Sequence, residues 1–221
     1  MIRKAWRHLL SLERALLVTL LLIGAALFGF FKLASEVLEG DTMAFDRAFL
    51  LAFRSTADPA VPVGPSWLAE AMTDVTAFGS VTGLVLVAAG AIGYLLISRQ
   101  MRTALFVLAA TGGGAAFGKL LKLAYARPRP TLVPHLVDVA SASFPSGHAT
   151  DSAIVYLTLG ALLARTVPEP GIRIYIISVA ILLALLIGIS RVYLGVHWPS
   201  DVVAGWTIGS AWALACSLAA R

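Results

Sequence analysis

Six stretches of this chain contain no Asp, Glu, Lys or Arg, and together they take up about half of its 221 residues. They are Ala15 to Phe31, Val75 to Ser98, Thr103 to Gly118, Ser152 to Ala164, Ile174 to Ser190 and Val202 to Ala220. The fourth is short, but it extends backwards through Gly147–Thr150. A hydrocarbon core about 30 Å thick is crossed by roughly 20 mostly apolar residues rising about 1.5 Å each. The expected fold class is therefore all-α: a polytopic membrane protein with six transmembrane helices, over roughly 15–38, 75–98, 102–123, 147–165, 172–190 and 200–220. The whole of 1–221 is expected to form one membrane-embedded domain.

Composition agrees. Apolar residues make up 59% and charged residues 13%, against about 45–50% and 25% in an ordinary soluble domain. This excludes a disordered chain, a coiled coil and a collagen-like fibre. The single cysteine, Cys216, excludes an internal disulfide and a cysteine-rich metal site. The net charge of +5 does not mark a nucleic-acid binder, because the basic residues sit at the ends of hydrophobic runs rather than in a patch interleaved with aromatics.

The basic segment before the first run raises the question of a signal peptide. Phe30-Phe31-Lys32 is a poor approach to a cleavage site, so the run is expected to stay as a span. Arg3, Lys4, Arg7, Arg14, Arg99, Arg102, Arg165, Arg173 and Arg221 all fall on one side of a six-span chain. That side is expected to be cytoplasmic, with both termini inside.

The opposite side holds two longer segments. Glu39 to Asp74 has an acidic excess and apolar residues at helical spacing (Phe45, Phe49, Leu50, Phe53, then Trp67, Leu68, Met72). Short interfacial helices broken around Pro59–Pro65 are expected there. They serve either as a covering loop or as a lid or lipid-entry ramp. Ala124 to Gly147 instead carries Arg127 and Arg129, with Lys119 and Lys122 just before them. Positive charge on the outer side points to an anion site.

Three clusters at that outer boundary carry chemistry. Lys122 ends the third span, and Arg127-Pro128-Arg129-Pro130 follows; the prolines stop the helix and the cations suit a phosphate. Ser143-Phe144-Pro145-Ser146-Gly147-His148 opens the fourth span. Ser146 sits near the helix cap, free amides and the helix dipole attract an anion, and Gly147 allows close approach. His148 falls in the first turn. The third cluster runs from Ser190-Arg191 to His197-Trp198-Pro199-Ser200-Asp201. Pro199 suits a first turn, and the four-residue separation lets Asp201 reach His197 and leave the other ring nitrogen free to attack. Each cluster alone also has an ordinary explanation: lipid-headgroup anchoring, a structural histidine, a favourable first-turn acid.

Together they have the order Lys–x6–Arg-Pro, Pro-Ser-Gly-His, Ser-Arg–x5–His–x3–Asp. This resembles the signature of the type 2 phosphatidic acid phosphatase (PAP2) superfamily, in its bacterial integral-membrane lipid phosphate phosphatase branch. Six residues separate Lys122 from Arg129 and seven separate Lys119 from Arg127, so the family's lysine and arginine map onto Lys122 and Arg129. The resemblance implies hydrolysis of a phosphomonoester or diphosphate through a phosphohistidine. His197 would attack phosphorus and Asp201 orient it. Lys122, Arg129, Arg191, Ser146 and the Gly147 amide would hold the phosphate oxygens. His148 would protonate the leaving oxygen and then activate water. Asp151, one turn beyond His148, lies outside the signature and has no assigned role.

No further His/Asp/Glu cluster offers a metal site, so metal-independent, cofactor-free activity is expected. The expected partner is a lipid phosphate at the outer face of a bacterial cytoplasmic membrane. Undecaprenyl diphosphate leads, with phosphatidylglycerol phosphate, phosphatidic acid and a lipid A phosphate beside it. A lipid phosphotransferase would use the same site, and a non-catalytic lipid-binding or transport protein would use it for binding only. A vanadate-dependent haloperoxidase shares the anion site but is soluble, against six spans.

Overall fold

The computed structural model describes residues 2–139 and 141–220, with side chains from Glu13 onward. The basic side chains of Arg3, Lys4 and Arg7, and Arg221, lie outside the described residues. Eight helices follow one another: α1 (Ile2–Glu39), α2 (Met43–Ala52), α3 (Ser66–Ala77), α4 (Val81–Ile97), α5 (Met101–Tyr125), α6 (Gly147–Thr166), α7 (Pro170–Tyr193) and α8 (Pro199–Ala219). The described residues contain no strand, only an isolated bridge between Arg54 and Pro62.

α6 is the central post. It packs on α8, α7, α5 and α4, while α1 lies on α8 and α3 on α7. Small residues set the closest approach. A Cβ on Gly205 would come 2.8 Å from the Ser146 carbonyl oxygen, and one on Gly209 would come 2.6 Å from that of Thr150. α8 therefore touches the α6 backbone directly, which seats the start of α8 beside the start of α6. At the opposite end, Arg165 of α6 donates to the carbonyls of Ser217 and Ala220. These are the free carbonyls of the last turn of α8.

α1, α5, α7 and α8 are each long and apolar enough to cross a membrane, and α3 with α4 forms a pair bent by 48° that is a fifth candidate when taken as one broken span. The expected unbroken helix over 75–98 is thus corrected. Helix α3 runs to Ala77, and α4 restarts at Val81. Ser80 caps α4, accepting from the Gly83 amide at 3.0 Å. Tyr156 donates to the Phe78 carbonyl at 2.8 Å. Gly79 fits between because a Cβ there would stand 2.3 Å from Ile187 Cγ2.

α6 is 20 residues long but is not among the helices that qualify by length and hydropathy. Its position explains this. It carries His148, Asp151 and Arg165, and its buried face is lined by Thr150, Ser152 and Thr158. A helix wrapped by protein on most sides has no need of a uniformly apolar surface. The short outer helices are present as α2 and α3, and the stretch between them that holds Pro59, Pro62 and Pro65 is not helical. On α2, Asp46 and Leu50 are buried, while Phe45 and Phe49 face outward.

Candidate active site

Four helices and one loop bring the three clusters together at one end of α6. Lys122 closes α5. Arg129 lies in the loop that follows. Ser146, Gly147 and His148 open α6. Arg191 closes α7, and His197 and Asp201 flank the first turn of α8. The His148 ring is within electrostatic reach of Arg191, His197, Lys122 and Arg129.

His197 is 1% exposed. Its Nδ1 faces Asp201 Oδ2 at 3.4 Å and Ser143 Oγ at 3.3 Å, and its Nε2 faces Arg129 Nη1 at 3.2 Å. A guanidinium only donates, so Nε2 accepts and the ring proton sits on Nδ1, toward Asp201. Burial lowers the His197 pKa from its ordinary 6.5 to about 4. The Asp201 hydrogen bond and charge pull it up, and Arg129 and Lys122 push it down. The ring is therefore neutral at pH 7, and the contact with Asp201 is a hydrogen bond rather than an ion pair. Nε2 keeps a lone pair directed into a cationic cluster.

Asp201 is fully buried and heavily bonded. Oδ2 accepts from Ser143 Oγ at 2.5 Å and from the Trp198 amide at 2.9 Å, and Oδ1 accepts from Arg127 Nη1 at 2.6 Å. Arg127 also donates to Asp46 Oδ2 at 2.8 Å and to Ser200 Oγ at 2.8 Å. Asp46 in turn accepts from the Ser200 amide at 2.9 Å, at the start of α8. One buried arginine thus balances two buried carboxylates, which keeps either from standing unpaired.

That pairing leaves the other cations free for an anion. Arg129 donates Nε–H to the Ser141 carbonyl at 2.8 Å and Nη1–H to the Val196 carbonyl at 2.6 Å. Burial lowers its pKa, partly offset by Asp201. Lys122 donates to the Ala142 carbonyl at 2.8 Å. Arg191 donates to Thr76 Oγ1 at 2.9 Å, and its Nε is buried with no partner among the described residues. Ser146 is the N-cap of α6, and its buried hydroxyl likewise makes no hydrogen bond. A Cβ on Gly147 would come 3.2 Å from Lys122 Cε. Here the absence of a side chain lets the lysine lie along the helix start.

The bent α3–α4 pair forms one wall. Thr76 meets Arg191, and a Cβ on Gly79 would stand 3.3 Å from His148 Cδ2. Sequence reasoning gave no role to Thr76, Ser143, Ser200 or Asp46, and counted Arg127 with the cations of the anion site, whereas the structure holds it on Asp201 and Asp46. Asp46 did leave a trace: it is a carboxylate within an aromatic helical repeat. Thr76 left none.

Comparison with known proteins identifies the family. The PAP2 superfamily profile matches residues 103–221. Phosphatidylglycerophosphatase B of Bacillus subtilis (strain 168) is 38% identical over 157 residues, covering 68% of this chain and 74% of its own. An undecaprenyl-diphosphatase of Sulfolobus acidocaldarius is 43% identical over 68 residues, 31% of this chain and 29% of its own. The crystal structure of a transmembrane PAP2-type phosphatidylglycerolphosphate phosphatase from Bacillus subtilis superposes with a TM-score of 0.75 at 30% identity. That match covers 88% of this chain and 93% of the other. The chain belongs to the PAP2 superfamily, as an integral membrane lipid phosphatase.

Proposed function

We propose that this protein hydrolyses a lipid phosphomonoester or diphosphate through a phosphohistidine at the outer face of a bacterial cytoplasmic membrane. The observation that carries the reading is the His197 tautomer. Nδ1–H is held toward Asp201, and Nε2 offers its lone pair beside Arg129, with the Lys122 charge also near.

Lys122, Arg129, Arg191, the Ser146 hydroxyl and the Gly147 amide hold the non-bridging oxygens. Nε2 attacks phosphorus as the P–O bond to the lipid breaks. His148 gives its proton to the leaving oxygen. Asp201 stabilises the positive charge that develops on the ring. His148 then takes a proton from water, which attacks phosphorus, breaks the P–N bond and regenerates His197. Phosphoryl transfer asks chiefly for positioning and charge stabilisation on equatorial oxygens. The cations meet that demand without a metal. A phosphotransferase would run the first half-reaction identically and pass phosphate to an alcohol.

α6 is proposed as the sixth span, with 1–221 as a single domain. Arg165 lies at the end of α6 opposite His148, Arg99 lies in the turn between α4 and α5, and Arg102 lies in the first turn of α5. This supports cytoplasmic termini and a site that faces outward. An apolar cavity of about 290 Å³ opens between α4, α5 and α6, lined by Leu84, Val85, Leu108 and Ile154 among others. It supports a lipid substrate, since an acyl or prenyl chain fits there while the phosphate meets the cations. Phosphatidylglycerol phosphate stands beside undecaprenyl diphosphate as substrate, because the broader matches are with phosphatases named for the former.

The test is phosphate release by purified protein in detergent with EDTA present. The panel holds undecaprenyl diphosphate, phosphatidylglycerol phosphate, phosphatidic acid and a lipid A phosphate, each beside H197A. Release that depends on His197 is expected. Release that persists in H197A would remove the proposed nucleophile. No release from any of the four would turn the reading toward phosphotransfer or binding.

A further inference from the structure

Asp151 is the one carboxylate on the wall of the apolar cavity, which Thr111 otherwise shares with apolar side chains and Gly112. It stands three residues after His148, on the same side of α6. Its two oxygens face different neighbours. A Cβ on Gly118 would lie 3.5 Å from Oδ1, and one on Gly147 would lie 3.9 Å from Oδ2 and 3.8 Å from Lys122 Nζ. No ion pair forms with Lys122, whose ammonium donates to the Ala142 carbonyl and acts on Asp151 as a nearby charge only. The carboxylate makes no hydrogen bond among the described residues. It is thus an acceptor without a donor, beside the phosphate cluster and inside the cavity proposed for the lipid chain.

In-line displacement fixes what would pass it. His197 attacks from one side of phosphorus, so the leaving group departs on the other, where His148 meets its oxygen. A chain running from that oxygen into the cavity goes by the next turn of α6. We infer that Asp151 is a specificity-determining residue that reads the alcohol half of the substrate. It accepts a hydrogen bond from a hydroxyl close to the scissile oxygen and disfavours a second phosphate in the same place. An acceptor-only group in an apolar wall favours a partner that donates and is left unmatched by one that cannot. A hydroxyl-bearing lipid phosphomonoester fits this wall better than a polyprenyl diphosphate. The inference rests on the hydrolase reading above and narrows its substrate class.

Three short-chain probes isolate the effect: lysophosphatidic acid, phosphatidic acid of the same chain length, and farnesyl diphosphate. The first two differ by a free hydroxyl against an ester next to the phosphate-bearing carbon. Wild-type protein is expected to show kcat/KM about tenfold higher for the hydroxyl-bearing probe. D151A is expected to bring that ratio within about threefold, mainly by loss on lysophosphatidic acid. Both D151A and D151N are expected to raise farnesyl diphosphate turnover relative to phosphatidic acid. Each readout is a ratio within one preparation, so it does not depend on the fraction folded. Unchanged ratios, or a parallel fall on all three probes as expected of a mere counter-charge for Lys122, would overturn the inference and leave the hydrolase reading intact. No His197-dependent release by wild type from any probe would overturn both.

Discussion

Arg127 Nη1 lies 2.6 Å from Asp201 Oδ1, on the opposite carboxylate oxygen from the one that faces His197. The Arg-Pro-Arg-Pro segment thereby places two arginines in different duties. Arg127 is spent within the protein on Asp201 and Asp46. Arg129 faces the nucleophile.

Substitutions should separate the two. R127M leaves Asp46 and Asp201 buried without their cation, and is expected to cost about 3–5 kcal/mol of stability. R129K keeps a charge but loses the fork, so it should lower kcat/KM by at least about tenfold with little change in melting temperature. Thermal unfolding and phosphate release on both variants check this. Equal loss of stability in both would contradict the division of labour.

His148 should matter in proportion to how poor the leaving group is. H148A is expected to slow release from an alkyl phosphate by about 10²–10⁴. It should slow release from an aryl phosphate with an acidic phenol far less. Equal losses on both would argue against a role as acid.

G79A probes the wall behind that histidine. The added methyl would come 2.3 Å from Ile187 Cγ2 and 3.3 Å from His148 Cδ2. Ile187 or the α3–α4 bend must yield, and His148 moves with them. A displacement near 1 Å costs on the order of 10²-fold in rate. G83A, four residues along α4, would instead meet the Ala77 carbonyl at 2.3 Å. It therefore strains the bend without placing an atom against the histidine. A kcat loss in G79A that G83A does not share would place the effect at His148.

The pH profile follows from the buried nucleophile. Its folded pKa of about 4 lies below the ordinary 6.5. The reactive form is neutral, so His197 should impose no loss of kcat/KM until pH falls toward about 4. Linkage has a definite sign. Between about 6.5 and about 4 the unfolded chain holds more protons at this site, so stability falls as pH drops through that window and is unaffected by His197 above it. Melting temperatures of wild type and H197Q across pH 4–7 test this, and the wild type should lose stability faster on acidification.

The legible part of this molecule was whatever repeats or is spelled out in order. Charge-free runs marked α1, α5, α7 and α8, and three motifs marked the gathered residues from Lys122 to Asp201. The break at Phe78–Ser80 was hidden because Val75 to Ser98 is free of charge throughout, and the Ser80 cap and the contacts with Ile187 and Tyr156 mark the break only in the fold. α6 was legible as a helix by its motif more than by hydropathy. The partners of Asp201 were harder still. Asp46 and Thr76 act across long separations from Arg127 and Arg191, and only its place in an aromatic repeat sets Asp46 apart from its acidic neighbours. Local pattern carries periodicity and caps; pairing across the bundle is decided only when the helices meet.

The clasp between Asp46 and the first turn of α8 has a consequence for modularity. Asp46 lies upstream of the segment 103–221 that the superfamily profile spans, yet it holds Arg127 and the Ser200 amide directly. The shared half of the chain is therefore not self-sufficient here. A graft of that half onto another protein's leading helices would carry every motif residue and still leave Arg127 with only one carboxylate. Exchanges between relatives that preserve function should cut before α2 rather than at the start of the common segment.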